Sequence, residues 1–198
     1  MYLRSPNRAW LLGAALITWC GLSQGTARAD LRVSITTTPH GGNFAPRNVA
    51  ATWIEDSAGN FVKTIDRQAG VRISHLVAWL AKAGTNDVDA VTGATRNDHA
   101  SPLSIAWDLK NKAGTEVPDG TYTLRVELAD SNSNAAAQND QGTYTFIKGP
   151  SPQSQTAIKS GGFTATINYT TAAGSASCGN GKVDPGETCD PANTCPIA

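Results

Sequence analysis

Residues Thr121 to Leu128 read Thr-Tyr-Thr-Leu-Arg-Val-Glu-Leu, an alternation of polar and apolar side chains with period two. A helix would scatter those apolar groups around its axis. A strand collects them, with Tyr122, Leu124, Val126 and Leu128 on one face and Thr121, Thr123, Arg125 and Glu127 on the other. The same reading applies to residues 31–37, 48–55, 61–65, 103–107, 142–147 and 162–169, which makes seven strands in all. Residues 48–55 are mostly apolar and read as an interior strand. Asp56-Ser57-Ala58-Gly59-Asn60, Lys112-Ala113-Gly114 and Pro118-Asp119-Gly120 are turn clusters between strands. Between Arg72 and Ala83 the period changes: Leu76, Val77, Trp79 and Leu80 fit one helical face, and Gly84 suits its C-cap. Ser131 to Gln141 is polar and rich in Ala and Asn, so it reads as a loop. The expectation is a mainly β fold, an antiparallel β-sandwich with one short helix.

The N-terminus has the marks of an export signal. Arg4 and Arg8 form a basic start, Trp10 to Cys20 is apolar but short, and Ala27-Arg28-Ala29 places small residues where a signal peptidase reads them. Cleavage before Asp30 is expected. Cys20 raises a lipoprotein alternative, which Trp19, a bulky residue ahead of the cysteine, disfavours. The whole chain has 16 basic and 16 acidic residues. Residues 1–29 contain Arg4, Arg8 and Arg28 and no acid, so 13 basic residues (16 − 3) remain against 16, a net charge of −3. That balance, with no basic run, argues against nucleic acid as a partner. After the leader, no stretch is apolar enough for a transmembrane helix. The expected location is periplasmic or extracellular.

Cysteine use agrees with export. Beyond Cys20 there are only Cys178, Cys189 and Cys195, clustered at the C-terminus. They are disulfide candidates, and an odd number leaves one thiol over. A zinc site competes poorly, because three spaced Cys have no His nearby. His40, His75 and His99 lack the spacing that would preorganise a metal site, so local bonding or exposure is expected, and no metal is assigned. Asp56, Asp87, Asp89 and Asp108 sit in turn-forming contexts. Gly179 to Glu187 resembles a calcium loop only superficially, since Ala176 and Cys178 stand where oxygen ligands are needed. Trp53, Trp79 and Trp107 could form a stacking platform for sugars, but Trp53 and Trp107 lie in apolar strands and are expected in the core. No nucleophile–base–acid motif is present, and no catalytic residue is assigned.

Three resemblances add to this reading. Ala106-Trp107-Asp108, followed by Ala113-Gly114 and Val117-Pro118-Asp119-Gly120-Thr121-Tyr122, is similar to a signature of flagellar hook-capping-type Ig-like domains. It implies an Ig-like sandwich plugged by the Trp; Leu109 stands where that signature often has Gly. Cys178-Gly179-Asn180-Gly181, Asp184, Gly186-Glu187 and Cys189-Asp190 resemble the opening of a disulfide-rich repeat of myxobacterial surface proteins. Thr171 to Ser177 is then a small-residue linker. Finally, residues 45–56, Val62-Lys63-Thr64, Ala78-Trp79 and Asp89-Ala90-Val91-Thr92-Gly93-Ala94-Thr95 resemble, in that order, a family of predicted periplasmic proteins of unknown function. Such proteins are often encoded near PepSY-type membrane flavoproteins and flavin transferases.

The last of those segments also resembles the acceptor motif of periplasmic flavin transferases. That resemblance implies covalent FMN on Thr95, with Asp89, Thr92, Gly93 and Ala94 completing the loop and Asn97 departing from the fuller motif. The same residues equally suit an ordinary inter-strand loop. The expected organisation is a leader over 1–29, an Ig-like β-sandwich over 30–170, a linker over 171–177 and a partial cysteine-rich tail over 178–198. The expected function is that of a non-catalytic binding or accessory protein of the cell envelope. The alternative is an electron-transfer flavoprotein, whose partners would be a flavin transferase and a membrane redox protein.

Overall fold

A computed structural model describes residues 28–84, 93–130 and 133–171. Residues 1–27 of the proposed leader, Asp89 to Thr92 of the acceptor loop, and Cys178, Cys189 and Cys195 lie outside the described residues. The expected β-sandwich is observed as two four-stranded antiparallel sheets. One runs β4 (Leu103–Trp107), β1 (Asp30–Thr36), β8 (Phe163–Thr170) and β7 (Gln153–Ser160). The other runs β3 (Phe61–Gln68), β2 (Val49–Asp56), β5 (Gly120–Ala129) and β6 (Asp140–Lys148). Eight strands stand where the sequence predicts seven. The additional one is β7, Gln-Ser-Gln-Thr-Ala-Ile-Lys-Ser, a largely exposed edge strand with no apolar alternation to announce it. Its pairing with β8 shifts register between Gln155 and Ile158, and Ala157 takes φ +56° there. Such a bulge twists an exposed edge away from further pairing.

The alternation of β5 has the predicted consequence on one face. Tyr122, Leu124, Val126 and Leu128 are buried between the sheets with Val33, Ile35, Ile105, Phe146, Phe163 and Ile167. Trp107 plugs this core, edge-on to Tyr122 and Phe146 at ring separations of 5.8 and 6.1 Å. Its indole Nε1 donates to the Lys110 carbonyl at 2.8 Å, and the Tyr122 hydroxyl donates to the Pro118 carbonyl at 2.6 Å. Both polar tips are satisfied by the turn that joins β4 to β5, so the plug and the turn position each other. Leu109 takes the left-handed φ of +58° while being 1% exposed. The backbone at that position has the conformation a glycine would favour. The burial of the leucine offsets a strain of roughly 1–2 kcal/mol.

The opposite face of β5 departs from expectation. Glu127, predicted on an outward polar face, is fully buried. A second apolar cluster covers this side of the sheet: Val49, Ala51, Trp53, Leu76, Trp79 and Ala129, beneath the helix α1 (Val77–Ala83). The helix is shorter than the predicted span, because a 3-10 turn at Ile73–His75 precedes it. Leu76 and Trp79 turn inward as expected, and Gly84 closes the helix with φ +74°. Leu76 occupies the N-cap and has no side-chain oxygen, so the first amides need an acceptor from elsewhere. Glu127 supplies it, taking the Ala78 and Trp79 amides at 2.9 and 2.8 Å. The β7–β8 turn shows a different constraint. Gly161 has φ +58°, and a Cβ there would lie 2.1 Å from the Gln141 carbonyl oxygen of β6.

Two substitutions separate these contributions. Glu127→Gln removes an acceptor from a buried pair of amides and should destabilise the fold by about 2–3 kcal/mol, read as a lower urea midpoint at unchanged slope. Tyr144 is 2% exposed, its hydroxyl has no hydrogen-bond partner among the described residues, and burial pushes its pKa up to about 12. Tyr144→Phe should therefore be neutral or stabilising by up to about 1 kcal/mol in the same measurement.

Candidate functional site

The segment Gly93 to Arg96 is held against two strands at one end of the sandwich. Gly93 bridges Gln68 in parallel, and the Gly70 amide donates to the Ala94 carbonyl at 2.9 Å. On the other side Asn48 and Arg96 exchange backbone hydrogen bonds of 2.9 and 2.7 Å. Thr95 is thereby fixed, half-buried, between the end of β3 and the start of β2. Its hydroxyl engages no hydrogen-bond partner among the described residues.

Arg96 anchors this segment from beneath. It is 6% exposed, its Nε donates to the Thr37 hydroxyl oxygen at 3.1 Å, and its Nη2 donates to the Ser101 carbonyl. Burial pulls its pKa below the ordinary arginine value, against the opposing charges of Asp98 and Asp66. His99 completes the chain of contacts. Its Nε2 donates to the Pro46 carbonyl at 2.9 Å, so in the neutral ring Nδ1 accepts the Thr37 hydroxyl proton, also at 2.9 Å. The loop of residues 41–47 is thus tied to the 93–101 segment, and at its other end the Phe44 amide donates to the Asp130 carboxylate at 3.2 Å.

Between that loop and Thr95 lies a cleft of about 250 Å³, lined by Phe44, Arg47, Val71, Arg72, Ala94 and Thr95. Its lining is mostly apolar. Phe44 is 40% exposed and Val71 91%, and the one other exposed large apolar residue among those described is Ile147. The Arg72 guanidinium lies over the Phe44 ring at 4.7 Å, and its Nη2 donates to the Arg47 carbonyl. Arg72 Nη1 is buried from solvent and has no hydrogen-bond partner among the described residues. Neither Arg47 nor Arg72 is paired with a carboxylate among them. An apolar concavity of this kind suits a ligand with a hydrophobic body.

Of the acceptor-loop residues, the structure places Ala94 and Thr95 at this cleft and Gly93 on the adjoining bridge to Gln68, while Asp89 and Thr92 lie outside the described residues. The cleft's other residues, Phe44, Arg47, Val71 and Arg72, were not anticipated. Val71 stands alone between Gly70 and Arg72, and no periodicity marks it. The histidines do not come together. His40 approaches Asp140 at 3.4 Å, His75 Nδ1 lies 3.0 Å from the Ser133 carbonyl, and His99 is held as described. Among the described residues no cluster of three or more His, Cys, Asp or Glu could hold a metal. Asp56 caps its own turn, its carboxylate accepting the Ala58 and Asn60 amides, and Asp108 accepts the Lys110 amide. Asp87 is outside the described residues. Trp53, Trp79 and Trp107 are each at most 1% exposed, which removes a sugar-stacking platform.

A family model described as "Predicted periplasmic protein (DUF2271)" matches residues 30–162. No curated protein matches the chain, and no solved structure does. Among the described residues no helix is long and apolar enough to cross a membrane.

The turn that carries His99 should respond to acid. Asp98 accepts the Ala100 and Ser101 amides at 3.0 and 3.1 Å, and hydrogen bonds from Ser101, then Ala100, with the charge of Arg96, hold its pKa below 3.8. A carboxylate with a depressed folded pKa contributes stability that is fully present above the ordinary value and fades as pH falls through the folded one. Thermal midpoints measured from pH 5 down to pH 2 should show that loss, and Asp98→Ala should flatten that part of the profile. An unchanged profile in the variant would remove Asp98 from this role.

Proposed function

This chain belongs to the DUF2271 family of predicted periplasmic proteins, and we propose that it serves in that compartment as a non-catalytic binding or accessory protein. Its working surface is the cleft beside Thr95. One observation carries this reading: Phe44 and Val71, two of the three exposed large apolar side chains among the described residues, line the same cleft with Arg47 and Arg72. Exposed apolar groups gathered into a concavity mark a binding site more often than scattered ones do. The β-strands supply a rigid frame, and the site sits on loops tied to it by Arg96 and His99.

A second reading is favoured by the position of Thr95 itself. In it the protein is an electron carrier with FMN esterified to Thr95 by a separate flavin transferase, and it exchanges electrons with a membrane redox protein. The Thr95 oxygen would attack the flavin-side phosphorus of FAD, forming a phosphodiester and releasing AMP. The hydroxyl proton would pass to a base on the transferase. Support comes from the half-buried hydroxyl at the edge of an apolar, cationic cleft, with Gly93 and Ala94 adding little bulk beside it. The leader over 1–29, the linker over 171–177 and the cysteine-rich tail over 178–198 belong to the same proposal of an exported envelope protein.

Mass spectrometry of protein purified from its native host, or co-expressed with a periplasmic flavin transferase, tests both readings. The binding reading expects added mass that is retained under native conditions, lost on denaturation and absent in Val71→Asp. The flavin reading expects the mass of one FMN to survive denaturation and vanish in Thr95→Ala. Neither mass, with the transferase active on a control substrate, would sink both.

A further inference from the structure

We infer that β4 is an interaction surface for a second copy of this chain. Two protomers pair edge to edge, antiparallel and centred on Ile105, so that their four-stranded sheets join as one of eight strands. The inference goes beyond the cleft beside Thr95 and needs no ligand there.

A sheet edge presents unpaired backbone groups, and three of the four edges here are blocked against further pairing. β7 is bulged, its register against β8 broken between Gln155 and Ile158. β6 is capped by side chains of β7. Ser160 Oγ accepts the Thr143 amide at 2.9 Å, and Gln155 Nε2 donates to the Thr145 carbonyl at 2.9 Å. The Gln153 side-chain amide takes the Ile147 amide at 3.1 Å and donates to the Ile147 carbonyl at 2.7 Å. β3 has two register shifts against β2, its Val62 carbonyl accepts the Lys112 amide at 3.1 Å, and its last residue, Gln68, bridges Gly93.

β4 has none of these devices. It pairs with β1 from Leu103 to Trp107 without a register shift, and its outer edge makes no backbone hydrogen bond among the described residues. Leu-Ser-Ile-Ala-Trp contains no charge, proline or glycine, and its length is that of an ordinary strand. The core is also thinly covered at this corner, where β3 lies against β4. Ile65, Ile105 and Leu103, at 8%, 7% and 6% exposed, are with Val117 the least covered members of the inter-sheet cluster. Three of those four stand on β3 and β4.

The strand's own pattern selects a second copy as the occupant. With Ile105 opposite its partner's Ile105, Leu103 lies opposite Trp107 on the inner face, and the exposed Ser104 opposite Ala106 on the outer face. Apolar meets apolar, small meets small, and no like charges face each other. Just past the strand, Lys63 and Asp108 lie 3.8 Å apart and offset each other's charge. A slip of one residue would set the inner face of one sandwich level with the outer face of the other, which fixes the register. An unrelated extended peptide would use the same backbone groups without this match of side chains.

Analytical ultracentrifugation of the mature chain, residues 30–198, tests this with reductant present, so that Cys178, Cys189 and Cys195 cannot link chains. A monomer–dimer equilibrium should appear between about 1 µM and about 1 mM, the weak end of specific interfaces. Amides of β4 should gain protection from hydrogen exchange as the dimer forms. S104K/A106K sets lysine against lysine twice across the interface and should weaken the dimer about tenfold or more. General repulsion would not explain that loss, because two added lysines bring the net charge from −3 to −1. S104K/A106E sets lysine against glutamate and should restore dimerisation to within a few-fold of the parent. Both positions are exposed, and an unchanged urea midpoint checks that the variants fold. Should either fail to fold, the exchange measurement on the parent still decides. A monomer at every concentration, a dimer without protection of β4, a dimer indifferent to S104K/A106K, or a loss that S104K/A106E does not restore would each overturn the inference.

Discussion

The buried carboxylate of Glu127 holds one side of this molecule together. It sits on β5, facing away from the inter-sheet core, and accepts the amides that open α1. It also accepts from Asn139 Nδ2 at 2.6 Å, and the same nitrogen reaches the His75 carbonyl at 2.8 Å. One acidic side chain and one amide therefore tie together a strand, the helix start and the 3-10 turn before it. Unpaired, such a charge would be costly to bury, and its three donors make the burial tolerable. The cleft depends on this network at one remove, because Val71 and Arg72 immediately precede the anchored turn.

The two faces of the β3–β2–β5–β6 sheet solve different problems. The inner face is filled by aromatic and branched residues packed against the second sheet, with Trp107, Tyr122 and Phe146 in mutual contact. The outer face is covered by a helix of only seven residues, and its packing relies on tryptophans with satisfied indole groups. Trp53 Nε1 donates to Glu55 at 2.9 Å and Trp79 Nε1 to the Thr64 hydroxyl at 3.0 Å. Arg67 and Arg125 lie over the Trp79 and Trp53 rings. So short a helix has little stability of its own and depends on this docking.

Strands with one apolar face were legible because alternation records which face meets the core. That is why β1, β4, β5, β6 and β8 fall close to their predicted spans. The interior position of β2 was legible too, since a strand covered on both sides has few polar residues to show. β7 was not, because an exposed edge strand is held by backbone hydrogen bonds to β8, and those leave no pattern in side-chain hydropathy. Glu127 misled for a related reason. A charged residue in an alternating strand reads as solvent-facing until a remote segment brings amides to it, and Ala78 and Trp79 are some fifty residues distant in sequence.

The amino-acid sequence by itself determined a β-sandwich, the compartment that the family description agrees with, and a Gly93-Ala94-Thr95 segment worth noticing. Local hydropathy period and turn chemistry are properties of neighbouring residues, so they can be read along the chain. The tertiary structure decided what surrounds Thr95. Phe44 and Arg47 arrive from the loop before β2, Val71 and Arg72 from the end of β3, and Thr95 from beyond the helix. They meet because backbone bridges at Asn48, Gly70 and Gln68 bring those three segments together. No local pattern encodes such a meeting, since each residue is unremarkable where it stands and acquires its chemistry only from neighbours that folding supplies.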